Sequence, residues 1–157
     1  MTDLSAFSSE KPLILAGCGN MGGALLNGWL ASGLSPDAVF IVDPVMAEAG
    51  SAPAGVRCFG RVEDLPDCAP AMVMLAVKPQ IMEGVAAGYI DRVRSSGAAV
   101  ISIAAGVGMA SYEGWFGSET PIIRVMPNTP SAVGAGMSLL LKNEAVGEDL
   151  AALSEVM

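Results

Sequence analysis

The chain has 157 residues, of which 52% are hydrophobic and only 15% are charged, and its formal net charge is −8. This length suits one domain with one core. The acidic balance argues against nucleic acid as a partner, because that function requires a basic patch. The sequence contains no histidine, which excludes Ser-His-Asp hydrolysis and most zinc sites.

The three cysteines, Cys18, Cys58 and Cys68, are odd in number and no two are spaced C-x-x-C. This pattern predicts neither a disulfide framework nor a metal site, and it fits a reducing cytoplasm. No apolar run approaches the roughly 20 residues of a membrane span. The high apolar content has two interpretations: a parallel sheet buried on both faces, or a surface that packs against a part not contained in these residues.

Residues 1–11 are polar and without pattern, which predicts a flexible N-terminal segment. Strand and helix signals then alternate. They predict strand 13–16, helix 21–32, strands 39–42, 56–58 and 71–77, helix 81–93, strand 98–103, helix 111–116, strands 122–126 and 136–141, and helix 148–157. Apolar strands alternating with helices indicate an α/β fold with a mostly parallel, doubly wound sheet in three α/β/α layers.

A glycine motif follows the first predicted strand and opens the first predicted helix. Gly17-Cys18-Gly19-Asn20-Met21-Gly22 fits G-x-G-x-x-G in the context that a Rossmann-type dinucleotide site requires. Gly17 permits the tight turn, Gly19 lets the backbone approach a pyrophosphate, and Gly22 lets the helix pack close to the strand. The alternative is a plain strand-to-helix turn, since 19 glycines produce chance matches. The strand, the helix and the acid that ends the next strand favour dinucleotide binding.

Asp43 stands at the end of the second predicted strand, where a carboxylate usually accepts hydrogen bonds from a ribose hydroxyl and favours NAD over NADP. No arginine follows closely to hold a 2′-phosphate, the next being Arg57. In the alternative interpretation, Asp43 only begins the turn into Pro44.

Three further strand ends carry unusual residues, and ligands in such sheets bind outside the carboxyl ends of the strands. In Ala76–Pro79, the amine of Lys78 could meet a ribose or a phosphate, or could simply be solvated. The small side chains of Ser102–Gly106 leave room for a flat ring, or serve close helix packing. In Arg124–Pro130, Asn128 can bind a carboxamide, or can form a turn between two prolines.

Taken together, these segments resemble pyrroline-5-carboxylate reductase. The motifs G-C-G-N-M-G, A-V-K-P-Q, S-I-A-A-G-V and R-V-M-P-N-T-P occur in the family's order, followed by Gly134-Ala135-Gly136-Met137. The resemblance runs from about residue 12 to the end. It implies that residues 12–157 form a dinucleotide-binding domain of an enzyme that reduces 1-pyrroline-5-carboxylate to L-proline with a nicotinamide hydride.

The resemblance also implies which residues bind the cofactor. The pyrophosphate would be lined by Ala16, Gly17, Cys18, Gly19, Asn20 and Met21. The ribose and nicotinamide side would be lined by Ala76, Val77, Lys78, Pro79, Ile103, Ala104 and Ala105, and Pro127 and Asn128 would lie near the ring being reduced. The family's proton donor and substrate-carboxylate groups lie in a helical dimerisation domain, so no catalytic residue is assigned here.

Two departures from the family stand out. The family often prefers NADPH, whereas Asp43-Pro44-Val45 favours NADH, so both NADP(H) and NAD(H) are retained as cofactors. Family members also run past 250 residues and carry the helical domain, so this chain alone is expected to bind cofactor without efficient reduction. A homo-oligomer is expected of the full-length form. The alternatives are another reductase with the same first domain, such as a β-hydroxyacid dehydrogenase, or a non-enzymatic nucleotide-binding module.

Overall fold

The computed structural model describes residues 4–127 and 138–156, and within them a seven-stranded sheet forms the centre of the molecule. The strands lie in the order β3-β2-β1-β4-β5-β6-β7. All neighbouring strands are parallel except β6 and β7, which are antiparallel. The bounds are β1 Leu13–Ala16, β2 Val39–Val42, β3 Arg57–Phe59, β4 Met72–Leu75, β5 Ala99–Ser102, β6 Ile122–Pro127 and β7 Ser138–Lys142.

Helices cover both faces of this sheet. They are α1 Asn20–Ala31, α2 Pro44–Ala49, α3 Met82–Ala87, α4 Ile90–Ser96, α5 Met109–Phe116 and α6 Glu148–Val156. Side chains of α1, α2 and α6 pack into the core cluster on one face of the sheet, and those of α3, α4 and α5 pack into the cluster on the other face. The predicted three-layer α/β/α fold is therefore confirmed.

Alternation along the central strands divides the core between these two faces. In β1, Leu13 and Leu15 belong to one cluster, whereas Ile14 and Ala16 belong to the other. All four are at most 1% exposed. Successive side chains of a strand point to opposite faces, so a strand covered by helices on both sides must be apolar throughout. This burial accounts for much of the high hydrophobic content.

The sheet places the carboxyl ends of its parallel strands along one edge. Successive strands are added outward from β1 in one direction as β2 and β3, and in the other as β4, β5 and β6. The order therefore reverses between β1 and β4, and this topological switch point is where open α/β sheets bind ligands. The glycine loop follows β1 directly, so it lies at the switch point.

The structure differs from the sequence-based expectations in two helical regions. The predicted helix 81–93 is two helices, α3 and α4, separated at Gly88 and Tyr89. Gly88 lies against Val62, and a Cβ built on Gly88 would come within 2.9 Å of Val62 Cγ1. The side chain of Tyr89 is buried, with only 1% of its surface exposed. Helix α2 was not predicted, because its six residues are too few to show a helical period.

Residues 4–7, within the segment 1–11 that is predicted to be flexible, contact the core. Leu4–Ala6 form a 3-10 turn, and the side chains of Leu4 and Phe7 are 8% and 6% exposed. Both belong to the core cluster that also contains Trp29. Two apolar side chains can anchor a segment that is otherwise polar, and polar composition alone does not reveal this.

Candidate cofactor site

The glycine loop between β1 and α1 is shaped by contacts with the neighbouring strands. Gly17 has a φ of +85°, and its N–H donates to the carbonyl of Val42 at 2.9 Å. A Cβ on Gly17 would lie 2.7 Å from both the Ala76 carbonyl oxygen and Val77 Cγ1, and one on Gly22 would lie 2.8 Å from the Gly17 carbonyl oxygen. The protein's own packing therefore requires glycine at both positions.

Gly19 differs from these two glycines. It precedes the first residue of α1, its φ of −74° suits any residue, and a Cβ built on it would meet no heavy atom within 4 Å. The first N–H groups of an α-helix have no intrahelical partner, and they carry the positive end of the helix dipole. Open space beside Gly19 at this helix terminus is the arrangement that an approaching phosphate needs.

The carboxylate of Asp43 joins two parts of the site. Its Oδ2 accepts a hydrogen bond from the backbone N–H of Cys18 at 2.8 Å, and its Oδ1 accepts one from the N–H of Met46 at 2.9 Å. The first bond reaches the glycine loop, and the second caps the N-terminus of α2. Asp43 therefore has the role of both interpretations: it is the N-cap residue before α2, which begins at Pro44, and it also lies in the candidate site.

A cavity of about 370 Å³ opens beside this carboxylate, and we call it the strand-end cavity. Its size falls in the range of about 300–1,000 Å³ that is usual for small-molecule sites. It is bounded by the ends of β1 and β2, the segment after β3, the loop after β4, and α3. Its lining residues are Ala16, Gly17, Val42, Asp43, Pro44, Val45, Gly60, Val62, Glu63, Val77, Ile81, Gly84, Val85, Gly88 and Tyr89.

Two thiols lie close to the Asp43 carboxylate. Burial, and then the negative charges of Asp43 and Cys58, raise the pKa of Cys18 to about 11. Burial also raises the pKa of Cys58, with Asp43 adding to the effect. Both thiols are therefore protonated near neutral pH and are poor nucleophiles. They contribute packing here rather than covalent chemistry.

The ends of β5 and β6 are arranged differently. Ser102 and Tyr112 are fully buried, and their hydroxyl oxygens are 2.5 Å apart. Ser102 Oγ also accepts the N–H of Ala104 at 3.2 Å, which fixes the start of the loop after β5. Arg124, which pairs with Ser102 across β5 and β6, has the one buried side-chain nitrogen without a hydrogen-bond partner in residues 4–127 and 138–156, its Nε.

The structure brings some of the sequence-predicted residues into one cavity. Ala16, Gly17, Asp43 and Val77 line the strand-end cavity together. The remaining predicted residues in the described ranges lie on the glycine loop, on the loop after β4, after β5, or at the end of β6. They are Cys18, Gly19, Asn20, Met21, Gly22, Ala76, Lys78, Pro79, Ile103, Ala104, Ala105 and Pro127. Asn128 lies outside the described residues.

Sequence reasoning missed the far side of the cavity. Glu63 comes from the segment after β3, and Ile81, Val85 and Tyr89 come from α3 and its flanks. Ile81, Val85 and Tyr89 carry no motif, because an apolar wall needs size and position rather than a particular residue type. Glu63 carries none either, since a single exposed glutamate does not stand out in a sequence. Helix α2, in contrast, could have been predicted from Asp43 as its N-cap with Pro44 in its first turn.

Comparison with known proteins agrees with this geometry. Residues 13–106 match the family described as NADP oxidoreductase, coenzyme F420-dependent. This chain belongs to that family. The matched region begins with β1 and extends past β5, so it contains the glycine loop, Asp43 and every residue of the strand-end cavity.

Curated relatives give a more specific comparison. The chain is 35% identical over 140 residues to the pyrroline-5-carboxylate reductase of Pseudomonas aeruginosa, with 88% of this chain and 50% of the relative covered. It is 34% identical to the Escherichia coli enzyme of the same name, with 87% and 51% covered. The resemblance seen in the motifs is thereby confirmed. The chain spans about half the length of the curated relatives it matches.

Solved structures give the same result. A pyrroline-5-carboxylate reductase from Coxiella burnetii matches with a TM-score of 0.82 at 30% identity, covering 93% of this chain and 54% of that one. A Plasmodium falciparum pyrroline carboxylate reductase, solved with NADP bound, matches with a TM-score of 0.77 at 27% identity, covering 94% and 54%. Within residues 4–127 and 138–156, none of the helices has the length and hydropathy that a membrane span requires.

Proposed function

We propose that this chain forms the cofactor-binding half of a pyrroline-5-carboxylate reductase, which uses NAD(P)H to reduce 1-pyrroline-5-carboxylate to L-proline. The observation that carries this proposal is the open space at Gly19, between two glycines that the protein's own packing requires. It lies at the switch point of the sheet, next to a cavity of suitable size for a nucleoside. The names of the relatives supply the substrate.

The residues present fit a nicotinamide dinucleotide. Gly17, Gly19 and Gly22 leave a Cβ-free surface at the start of α1, where the helix dipole favours a pyrophosphate. Beside it, the strand-end cavity offers mostly apolar walls for an adenine and a carboxylate, Asp43, for ribose hydroxyls. Carboxylate oxygens have about four acceptor sites in total. Asp43 therefore retains acceptor capacity after its two backbone hydrogen bonds.

The other half of the cofactor would extend toward β5 and β6. We assign Ala76, Val77, Lys78 and Pro79 to the ribose and phosphate side. Ile103, Ala104 and Ala105, which follow the buried Ser102, are assigned to the nicotinamide side. Ile103 packs against the core, and the small side chains of Ala104 and Ala105 leave room for a flat ring at the end of β5. Pro127 and Asn128 would lie near the nicotinamide and the imine ring.

The chain's contribution to the reaction is alignment. When bound, the nicotinamide supplies the hydride, and the protein's task is to hold donor and acceptor in register. The buried hydrogen bonds of Ser102 with Tyr112 and with the N–H of Ala104 keep the loop after β5 in one position. Tyr112 itself is fully buried, and burial raises the pKa of its phenol, so it positions the loop rather than donating a proton. No residue described here is assigned as the proton donor.

We propose that the whole enzyme is cytoplasmic and forms a homo-oligomer in its full-length form. Its substrate is a small molecule, and it has no nucleic-acid or membrane partner. The free thiols Cys18, Cys58 and Cys68 are compatible with a reducing compartment. The net charge of −8 disfavours binding to phosphate backbones.

A chimera tests the proposed activity. This chain would replace the half that it matches in the Escherichia coli relative, and the product would be assayed for NAD(P)H oxidation with 1-pyrroline-5-carboxylate. We expect turnover, and growth of a proline auxotroph without proline. The chimera carrying Gly19→Ala serves as the matched control and should fold equally but turn over more slowly. A chimera that folds and binds cofactor but leaves 1-pyrroline-5-carboxylate unreduced contradicts the proposal.

A further inference from the structure

We propose that the strand-end cavity selects NADH over NADPH, through the fixed carboxylate of Asp43 and the nearby carboxylate of Glu63. This inference rests on the proposed function, because it assigns the cavity to the adenosine half of the cofactor. NADPH differs from NADH only by a phosphate on the adenosine 2′-oxygen. Selection therefore depends on what surrounds the ribose rather than on the reacting ring.

The carboxylate of Asp43 cannot change its position without breaking hydrogen bonds. Its two oxygens accept the N–H groups of Cys18 and Met46 at 2.8 and 2.9 Å. Moving it away from an incoming phosphate would release the glycine loop on one side and uncap α2 on the other. Loss of an N-cap destabilises the first turn of a helix. The negative charge is therefore a permanent part of the cavity wall.

The cavity offers a second negative charge and no described positive one. Glu63 lines it together with Asp43, and none of the described residues in its lining is a lysine or an arginine. A phosphate monoester carries a charge of about −1.5 to −2 at neutral pH. Placing it here would bring like charges together without a compensating cation, which disfavours the phosphorylated partner.

The two arginines on and just after β3 do not line the cavity. Arg57 is the first residue of β3, away from the carboxyl end, and its guanidinium lies 4.6 Å from the ring centre of Phe40 and 5.3 Å from that of Phe59. Arg61 follows the strand, but its Nη2 lies 3.1 Å from Asp64 Oδ1 in an exposed ion pair. The Val45 side chain, 77% exposed after Asp43 and Pro44, cannot bind a phosphate either.

Calorimetric titration of the 157-residue chain tests the inference without any turnover. The ligands are NADH and NADPH, and then 5′-AMP and adenosine 2′,5′-bisphosphate, which isolate the adenosine half. We expect NADH to bind at least about tenfold more tightly than NADPH, and 5′-AMP to exceed the bisphosphate similarly. The preference should shrink with added salt, because salt screens charge repulsion.

Two variants separate the contributions of the carboxylates. Asp43→Ser retains an N-cap residue for α2, and Glu63→Gln removes only a charge from an exposed side chain. Each should lower the NADH-to-NADPH preference. Glu119→Gln is the matched control, since it removes one exposed negative charge in the segment before β6, at the opposite edge of the sheet. The NADH-to-NADPH preference of Glu119→Gln should equal that of the unmodified chain.

The outcomes distinguish this inference from the function on which it rests. NADPH binding that equals or exceeds NADH binding overturns the selection while leaving the dinucleotide site intact. A preference for NADH that Glu63→Gln and Asp43→Ser both leave unchanged also overturns it, since the carboxylates would not be its source. Failure of all four ligands to bind overturns the proposed function itself, and the selection with it.

Discussion

Two stretches of the same sheet edge differ in how completely they are built. At the ends of β1, β2 and β4, the chain encloses a cavity with a fixed carboxylate and a glycine loop held by backbone contacts. At the ends of β5 and β6, small residues follow a buried hydroxyl pair, and Arg124 Nε lacks a partner within the described residues. The first stretch has the geometry that the proposed cofactor site requires, whereas the second contains no such cavity among its described contacts and consists of a hydrogen-bonded loop support.

This difference is consistent with the two tasks of the proposed enzyme, cofactor binding and substrate reduction. Binding a nucleotide requires a phosphate-binding loop and a cavity, and this chain contains a glycine loop and the strand-end cavity. Reducing an imine also needs groups around the substrate, and the curated relatives are about twice as long as the part matched here. The comparison therefore predicts that mutations at the first stretch change cofactor affinity, and that those at the second change mainly the stability of a loop.

The largest effect is expected for Gly17→Ala. A methyl group there would lie 2.7 Å from the Ala76 carbonyl oxygen, at a φ of +85° that L side chains rarely adopt. The strained backbone alone costs about 1–3 kcal/mol, and the contact with Ala76, the residue after β4, adds to it. Chemical denaturation should show the loss of stability, and calorimetry the loss of cofactor binding. An unchanged denaturation midpoint would contradict the described loop.

Gly19→Ala should affect binding much more than stability. The added methyl group meets no protein atom within 4 Å, so the denaturation midpoint should change far less than in Gly17→Ala, by no more than the N-cap preference of α1 for glycine over alanine. If the pyrophosphate of NADH approaches this position, its steric contact with the added methyl group should make the binding free energy about 1–3 kcal/mol less favourable. NADH binding would then be about 5- to 150-fold weaker. Equal affinities of the variant and the unmodified chain would show that the phosphates do not approach Gly19.

Tyr112→Phe tests the second stretch. It removes one partner of the buried hydroxyl pair, while Ser102 Oγ keeps the N–H of Ala104. The expected cost is about 1 kcal/mol, which should lower Tm by about 2–4 °C in a protein of this size. Affinity for 5′-AMP should not change, because that ligand occupies the other stretch. A change in 5′-AMP affinity would mean that the two stretches are coupled.

The smallest effect concerns alkaline pH. The pKa of Cys18 is raised from 9.0 to about 11 in the folded chain. The folded state therefore holds this proton more tightly than the unfolded state, and the resulting stability is fully present below pH 9. It is lost as pH rises toward about 11. Tm should fall less over this range in Cys18→Ser than in the unmodified chain, and equal losses would contradict the shift.

Much of the fold could be predicted because the central strands are apolar on both faces. The run from Ala71 to Val77 contains no polar residue, so its burial as β4 followed from composition. Boundaries were less predictable where tertiary contacts decide them. Gly88 divides the predicted helix 81–93 where Val62 packs against it, and Val62 is distant in sequence. Leu4 and Phe7 join the core for a similar reason.

The site was predictable to the extent that backbone chemistry demands particular residues. Gly17 and Gly22 are required by close contacts, and a carboxylate at the end of β2 has a known use, so these positions could be found by motif. The wall formed by Val62, Ile81 and Val85 could not, because many apolar residues would serve there. The double role of Asp43 could not be predicted either, because it depends on its hydrogen bonds to the N–H groups of Cys18 and Met46.

The most direct test of the central claim is a map of where NADH binds, from backbone amide chemical shifts of the labelled chain during titration. The account predicts the largest changes at Cys18 to Gly22, with further changes at Asp43 and from Ala76 to Gln80. Smaller changes should appear after β5. Shifts confined to another surface, or none at saturating NADH, would show that the glycine loop is only a turn between β1 and α1.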